Sequence, residues 1–172
     1  MASGLWGLTA PAEAAQQRPV GTGWYEVVAR HSDKCLDVAW ASPADGANVI
    51  QWGCSGQGNQ QWRLIPQGDG MYQIVARHSR KCLDVEQAGV HSGANVIQWG
   101  CWGGTNQLWS FRTPDGRAID RPEIGRNVKI VAEHSGRVLD VLDGSTADGA
   151  NVIQWEPWDP GFNQQWRFRG PK

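Results

Sequence analysis

The stretch Arg77–Trp109, RHSRKCLDVEQAGVHSGANVIQWGCWGGTNQLW, decides the fold, because the chain contains it three times. An upstream copy, RHSDKCLDVAWASPADGANVIQWGCSGQGNQQW, spans residues 30–62. A downstream copy, EHSGRVLDVLDGSTADGANVIQWEPWDPGFNQQW, spans residues 133–166. Repetition on this scale indicates one supersecondary unit that cannot bury its apolar face alone. We therefore expect three units that close a single hydrophobic core.

Four segments of each copy have the residue pattern of short β-strands. In copy one the first is YEVVA, and the second is the Leu-Asp-Val element that follows a His-Ser turn at His31, a turn that recurs at His78 and His134. The third ends in VIQW and the fourth begins at a Gln-x-Trp element. No window favours a long helix. The pattern therefore predicts an all-β protein of about twelve strands.

The repeats set the expected domain boundaries. One domain of residues 24–169 is predicted, with repeats 24–65, 71–112 and 127–168. The segment that joins the second and third copies, TPDGRAIDRPEIGR, is about nine residues longer than the segment that joins the first two. Insertions of this kind are tolerated on a surface, so we expect an exposed loop.

Cysteines occur in two of the three copies, as Cys35 and Cys54 and as Cys82 and Cys101. Four cysteines allow three pairings, and repeat symmetry favours Cys35–Cys54 and Cys82–Cys101. Copy three has valine and proline at these positions, and the joint loss of both members indicates a structural bridge. Each bridge would stabilise the fold by about 3 kcal/mol. Oxidised cysteines indicate a secreted, extracellular protein.

Composition excludes several classes of function. The formal net charge of −1 gives no basic surplus to neutralise phosphates, which argues against nucleic acid as a partner. It also argues against electrostatic attachment to a membrane, and no apolar run approaches the ~20 residues of a membrane span. Eleven tryptophans and 22 glycines indicate a turn-rich chain with a few large aromatic packing elements.

Residues 1–23 lie outside the repeats and show no clear periodicity. The small-residue triplet Ala12–Ala14 is typical of a signal-peptidase site, although the expected basic start and long apolar region are missing. The segment is therefore either the remnant of a signal peptide or a linker.

The Gln-x-Trp element that closes each copy and the Leu-Asp-Val element that opens it resemble those of the ricin-B-type lectin domain, also found as modules attached to bacterial xylanases. The closing elements are Gln60–Trp62, Gln107–Trp109 and Gln164–Trp166, and three registered copies make the resemblance specific. It covers residues 24–169. It implies a β-trefoil with pseudo-threefold symmetry, in which six strands form a short barrel and six a hairpin cap, with one shallow sugar pocket in each repeat.

The resemblance also implies four carbohydrate-binding residues in each repeat. They are an aspartate on the second strand, an aromatic platform on the third and an Asn-Gln pair in the last hairpin. Many members carry a glutamine two residues before the platform, where this chain has isoleucine, with glutamine directly before the tryptophan. The implied residues are Asp37, Trp52, Asn59 and Gln60; Asp84, Trp99, Asn106 and Gln107; and Asp140, Trp155, Asn163 and Gln164.

These residue types suit a sugar. A pyranose has an apolar face of C–H groups, which a flat indole can cover, and a rim of hydroxyls that donate and accept. An ionised carboxylate accepts strong hydrogen bonds from hydroxyls, and asparagine adds a donor and an acceptor. Single shallow pockets are weak, so three on one body would gain by avidity on a polymer or cell surface.

Each assignment has a structural alternative. The Gln-x-Trp tryptophans, Trp62, Trp109 and Trp166, are expected in the core. For the platform tryptophans, packing beneath the hairpin competes with stacking on a sugar, and for the aspartates the capping of a turn competes with binding. The histidines are expected to form turns. Trp40, Trp102 and Trp158 lie in loops and could extend a pocket or cover its edge.

The leading prediction is a non-catalytic lectin that binds galactose- or xylose/arabinose-type glycans, as mono-, oligo- or polysaccharide, through up to three pockets. The alternative is a targeting or scaffolding subunit of a larger secreted complex, with a hydrolase or toxin as its protein partner. Catalysis is disfavoured, because a triplicated motif leaves no unique nucleophile and base. No cofactor or metal is expected. As binding sites, copies one and two are ranked above copy three, because copy three lacks the cysteine pair and has an altered hairpin.

Overall fold

Twelve strands follow the three copies of the repeat, four to each copy, and a thirteenth lies between the second and third copies. The computed structural model describes residues 18–172, and these counts refer to that range. The all-β prediction is confirmed. The strands are β1 (Tyr25–Ala29), β2 (Cys35–Val38), β3 (Val49–Trp52), β4 (Gln61–Gly68), β5 (Met71–Ala76), β6 (Cys82–Val85), β7 (Val96–Trp99), β8 (Trp109–Arg112), β9 (Ala118–Ile119), β10 (Lys129–Ala132), β11 (Val138–Val141), β12 (Val152–Trp155) and β13 (Trp166–Arg169).

The first and fourth strands of the repeats form a six-stranded barrel. β1 pairs with β4 and β13, β5 pairs with β4 and β8, and β10 pairs with β8. A bridge between Val128 and Trp166 closes the ring. The second and third strands of each repeat pair as the hairpins β2–β3, β6–β7 and β11–β12. This is the β-trefoil that the resemblance implied, with its barrel and its cap.

The Gln-x-Trp tryptophans lie in the core, as expected. Trp62, Trp109 and Trp166 are fully buried. Each indole N–H donates to the backbone carbonyl of the leucine in its own Leu-Asp-Val element, at 3.0 Å in the first and third repeats and 3.1 Å in the second. A buried indole needs a partner for its N–H. This bond explains why the two elements recur together in every copy.

Histidine and glutamine tie each repeat to a loop of its neighbour. The fully buried Gln51 donates from Nε2 to the carbonyls of Ser145, at 2.7 Å, and Ala147, at 2.9 Å, in the third repeat. His31 lies in a turn, and its Nε2 is 2.8 Å from the same Ser145 oxygen. Equivalent bonds link the second repeat to the first and the third to the second. The glutamine that directly precedes each platform tryptophan therefore joins the repeats.

The segment between the second and third repeats is an exposed loop only in part. Its strand β9 pairs with β8, and Tyr72 donates from its hydroxyl to the carbonyl of Asp120 at 2.8 Å. Pro122 is buried. The prediction of an exposed loop therefore needs correction, because the segment turns back as a hairpin and packs against the barrel.

Residues 18–20 lie against this same segment. Pro19 forms a bridge with Glu123, and the Val20 N–H donates to the carbonyl of Pro122 at 2.9 Å. The Val20 side chain is buried in the hydrophobic core. The packed part of the domain therefore begins earlier than residue 24. The Ala12–Ala14 triplet lies outside the described residues.

Both predicted disulfides are present, Cys35–Cys54 with Cα atoms 5.1 Å apart and Cys82–Cys101 with Cα atoms 5.2 Å apart. Each connects the first residue of one cap strand to the residue two positions beyond the end of its hairpin partner. Repeat three has an ion pair near this place, in which Arg137 Nη2 lies 2.6 Å from Glu156 Oε1. Among residues 18–172, no helix has the length and apolar character that a membrane crossing requires.

Candidate functional site

The structure brings the four predicted residues of each repeat together, and we call these clusters sites 1, 2 and 3. The aspartate and the tryptophan come from the two strands of a cap hairpin. The Asn-Gln pair comes from a three-residue 3₁₀ turn that precedes the fourth strand. The clusters are Asp37, Trp52, Asn59 and Gln60 in site 1; Asp84, Trp99, Asn106 and Gln107 in site 2; and Asp140, Trp155, Asn163 and Gln164 in site 3.

The glutamine of each site lies behind the carboxylate. Gln60 Nε2 donates to Asp37 Oδ2 at 2.7 Å and to the Gly53 carbonyl at 3.0 Å, and its Oε1 accepts from the Ser55 N–H at 2.7 Å. The side chain is almost fully buried. Every polar group of this amide is therefore used inside the protein, and the bonds fix the orientation of the carboxylate. Gln107 and Gln164 make the equivalent bonds in their sites.

The asparagine of each site is also held by its amide nitrogen. Asn106 Nδ2 donates to Asp84 Oδ1 at 3.0 Å and to the Val85 carbonyl at 3.1 Å, and Asn163 makes the same two bonds in site 3. In site 1 the Oδ1 of Asn59 is buried and has no hydrogen-bond partner. An unpaired buried acceptor is costly, and the bond that Asn59 Nδ2 donates to the Val38 carbonyl, at 3.2 Å, holds the side chain in place.

Burial raises the pKa of all three site aspartates above the usual range. The rise brings the pKa of Asp140 to about 6, and the nearby Asp143 carboxylate adds to the effect of burial. In site 2 the charge of Glu86 acts on Asp84 in the same direction. The hydrogen bonds from glutamine and asparagine oppose the rise in each site. Site 3 therefore titrates in mildly acidic solution.

The platform tryptophans are partly exposed to solvent and partly packed against a neighbouring repeat. Trp52, Trp99 and Trp155 are each a little under half exposed. One ring edge of Trp52 lies next to Gly149 of the third repeat, where an added Cβ would be 3.6 Å from Cζ3. Gly149 has a φ of +85°, which other residues rarely adopt. Each platform is thus supported from one side by a neighbouring repeat and presents the remaining surface to solvent.

A second exposed tryptophan stands beside each site, but its origin differs between sites. In site 1 it is Trp40, from the turn after β2. In sites 2 and 3 it is Trp102 and Trp158, from the hairpin before the fourth strand. Trp102 lies over Gly104, where an added Cβ would be 2.1 Å from the indole Cζ2, so this arrangement needs glycine. The three copies therefore share a core of the site and differ in its walls.

Cavities mark sites 1 and 3. The site 1 cavity has a volume of about 740 Å³ and is lined by Asp37, Trp40, Trp52, Asn59 and other residues, including Gly149 of the third repeat. The site 3 cavity has a volume of about 310 Å³. Sequence reasoning missed the contribution of Gly149, because a repeat read alone does not reveal which loop of another repeat completes its pocket.

The isoleucine that departs from the family pattern also lies at the sites. Ile50 lines the cavity of site 1 and Ile153 lines that of site 3. The position that the resemblance associates with a polar contact thus contributes apolar wall. Among residues 18–172 there is no group of three or more histidine, cysteine, aspartate or glutamate side chains that could hold a metal ion.

Comparison with known proteins gives a family match over three overlapping stretches of the chain. The sequence pattern of the family described as "Ricin-type beta-trefoil lectin domain-like" matches residues 5–99, 70–155 and 105–172, overlapping stretches that together span nearly the whole chain. Mucoricin from Rhizopus delemar is 47% identical over 47 residues, a match that spans 27% of this chain and 32% of mucoricin.

Two solved structures show the likeness in three dimensions. The designed 3-fold symmetric protein ThreeFoil is 53% identical with a TM-score of 0.76, over 86% of this chain and 99% of ThreeFoil. An exo-beta-1,3-galactanase from Clostridium thermocellum is 35% identical with a TM-score of 0.77, over 87% of this chain but 30% of the galactanase chain. The same fold therefore occurs both as a whole protein and as part of an enzyme chain.

Proposed function

The chain belongs to the ricin-type β-trefoil lectin family, and we propose that it is a non-catalytic lectin that binds neutral glycans of the galactose or xylose/arabinose type. Its sites 1, 2 and 3 are the proposed binding sites. Membership of a lectin family supports carbohydrate binding and argues against catalysis by this domain. The two disulfides suggest an extracellular setting for this activity.

One observation carries the proposal. In each repeat a buried carboxylate is held in place by a glutamine amide, at 2.7 Å in sites 1 and 2 and 2.9 Å in site 3, beside a half-exposed indole. A fixed acceptor next to a flat apolar surface matches a pyranose, which presents hydroxyls at its rim and C–H groups on its face. The glutamines act as positioning residues, while the aspartate, tryptophan and asparagine contact the sugar.

The charge of the site 1 walls supports a neutral ligand. Among residues 18–172, Asp37 is the one charged residue that lines the cavity. An acidic sugar would therefore meet a carboxylate with no cation in the wall to balance it. The likeness to the galactanase, at 35% identity over 87% of this chain, favours a galactose-type ligand among the candidates.

The same wall argues against glycoside hydrolysis in this site. Glycosidases use two carboxyl groups on opposite sides of the scissile bond, about 5 to 9.5 Å apart. The cavity of site 1 provides one carboxylate, and its amide partners hold it as an acceptor. We therefore assign binding and no bond cleavage to it.

The test is a glycan array with the wild type beside the Asp37→Ala/Asp84→Ala/Asp140→Ala variant. We expect the wild type to bind galactose- or xylan-type glycans and the triple variant to lose this binding. The matched control is Asp69→Ala/Asp115→Ala/Asp120→Ala, which removes the same number of charges at exposed positions outside the sites. The control should bind as the wild type does.

Two outcomes would contradict the proposal. Retained binding by the folded triple site variant would place the glycan elsewhere. A folded wild type that binds no glycan on the array would favour the protein-partner alternative, which pull-down with the extracellular fraction of the source cells can then examine.

A further inference from the structure

Trp40 is the most exposed large apolar side chain among residues 18–172, with 97% of its surface accessible. It lies in the turn after β2, next to the carboxylate strand of site 1, and it lines the same cavity as Trp52. An indole so exposed gains almost nothing from burial, and apolar area in water is unfavourable. Packing within the domain therefore does not account for a tryptophan at this position.

The backbone at Trp40 makes the choice of tryptophan still less favourable. Its φ is +60°, in the left-handed region that bulky residues avoid. The other two repeats keep the same conformation with Gln87, at +53°, and Asp143, at +56°. Aspartate is among the residues that tolerate this region best. Repeat 1 thus carries the bulkiest of the three side chains where the backbone favours the smallest, and strain of this kind tends to occur at functional positions.

The partition of the second tryptophan between the repeats supplies an independent argument. Where the hairpin carries an indole, as at Trp102, the turn position is occupied by a polar residue, Gln87. Where the turn carries the indole, as at Trp40, the hairpin has Ser55 at the equivalent position. Every site therefore has one additional aromatic surface, on a different wall in site 1 than in sites 2 and 3. A repeat that lacks the indole on one wall has it on the other. This indicates that the second indole serves the same purpose in every site but approaches site 1 from a different side.

We propose that Trp40 is a second sugar platform, which makes site 1 an extended site for at least two consecutive residues of a neutral oligosaccharide. The inference rests on the proposed function of site 1. Asp37, Trp52 and Asn59 hold one pyranose, and the next residue of the chain stacks its C–H face on Trp40. The cavity of about 740 Å³, compared with about 310 Å³ in site 3, supplies the room for the longer ligand.

The experiment isolates site 1 in the Asp84→Ala/Asp140→Ala background and measures affinity by calorimetry for sugars of increasing length. The probes are galactose, β-1,3-galactobiose and β-1,3-galactotriose, with xylose, xylobiose and xylotriose as the second series. We expect the disaccharide to bind about tenfold more tightly than the monosaccharide, a difference of about 1.4 kcal/mol. Trp40→Gln, which installs the residue of the second repeat, should remove this gain, so that the disaccharide binds no more tightly than the monosaccharide.

Two further variants separate a binding role from a structural one. Trp40→Gly relieves the left-handed strain and deletes only an exposed side chain, so the thermal unfolding midpoint should rise while the length preference disappears. The reciprocal Gln87→Trp, in the Asp37→Ala/Asp140→Ala background that leaves site 2, should strengthen disaccharide binding there.

The outcomes distinguish this inference from the function on which it rests. If mono- and disaccharides bind site 1 with equal affinity, or if Trp40→Gln weakens both by the same factor, Trp40 is no second platform, whereas the lectin function stands. If the wild type binds no sugar of either series and no glycan on the array, the lectin proposal itself fails and this inference with it.

Discussion

Sites 1 and 3 have the same centre and different surroundings. Both place a carboxylate, a half-exposed indole and an asparagine in the same arrangement, held by a buried glutamine. Site 1 adds a disulfide, an exposed Trp40 and the larger cavity, whereas site 3 adds Asp143 and Trp158 and has no disulfide. On the proposed function, the triplicated residues would set what kind of group is bound. The residues that are not triplicated would set the size of that group and the conditions under which it binds.

The largest expected effect concerns the disulfide that repeat 1 has and repeat 3 lacks. Replacing Cys35 and Cys54 by serine should lower the free energy of unfolding by about 3 kcal/mol, since the bridge closes a loop that restricts the unfolded chain. Denaturant unfolding of the double serine variant and of the wild type measures this difference. A loss well under 1 kcal/mol would show that the hydrogen bonds of the cap hold repeat 1 together without the disulfide.

The second effect is a difference in pH dependence. Because the pKa of Asp140 is about 6, a variant with site 3 alone, Asp37→Ala/Asp84→Ala, should lose roughly tenfold in sugar affinity between pH 7.5 and 5 as the carboxylate takes up a proton. The variant with site 1 alone serves as the comparison, and its affinity should fall less. Equal losses in the two variants would mean that Asp143 does not distinguish the two carboxylates.

Protonation of Asp140, which should weaken sugar binding, should have the opposite effect on the stability of the folded protein. The pKa of Asp140 lies above its usual 3.8 in the folded protein, so the folded state binds the proton before the unfolded chain does. Its contribution to stability is fully present below the unfolded pKa and is lost as the pH rises through about 6. Acidification towards pH 4 should therefore weaken site 3 while removing a destabilising buried charge. Asp140→Asn should abolish both changes.

The smallest effect concerns the ion pair between Lys34 and Asp148, 2.9 Å apart, which joins repeat 1 to the loop of repeat 3 that lines site 1. Both side chains are partly exposed, so Lys34→Ala should cost at most about 1 kcal/mol of stability and leave site 1 affinity unchanged. The loop is held mainly by Gln51, which is buried and donates to two of its carbonyls. A large fall in affinity would give the ion pair a part in shaping the pocket.

Most of the fold could be predicted because its determinants are repeated. Strand number, the core position of Trp62, Trp109 and Trp166, and both disulfides follow from features that occur in two or three registered copies. The role of Gln51 was not predicted, because its partners are backbone carbonyls of another repeat and leave no side-chain signal. The hairpin at β9 was missed for a similar reason, since a single unrepeated segment offers only its local residue pattern.

The candidate sites, too, could be predicted only in part from the sequence. Asp37 and its counterparts were placed by the resemblance, and the structure then showed which atoms of their neighbours are already occupied. The buried position of Gln60 behind the carboxylate depends on the 3₁₀ turn that carries it. The exposure and backbone conformation of Trp40 belong to tertiary structure, and a sequence alone gives no measure of either.

The pairing of β1 with β13 has a consequence for the synthesis of the chain. The first strand of the domain finds one of its two barrel partners only in residues 166–169, near the end of the sequence. Until those residues are available, one edge of β1 stays unpaired, and an open strand edge invites pairing with other chains. Long-range closure of this kind is also slow to form. A chain released before β13 would therefore be prone to aggregate, even though all of site 2 had already been made.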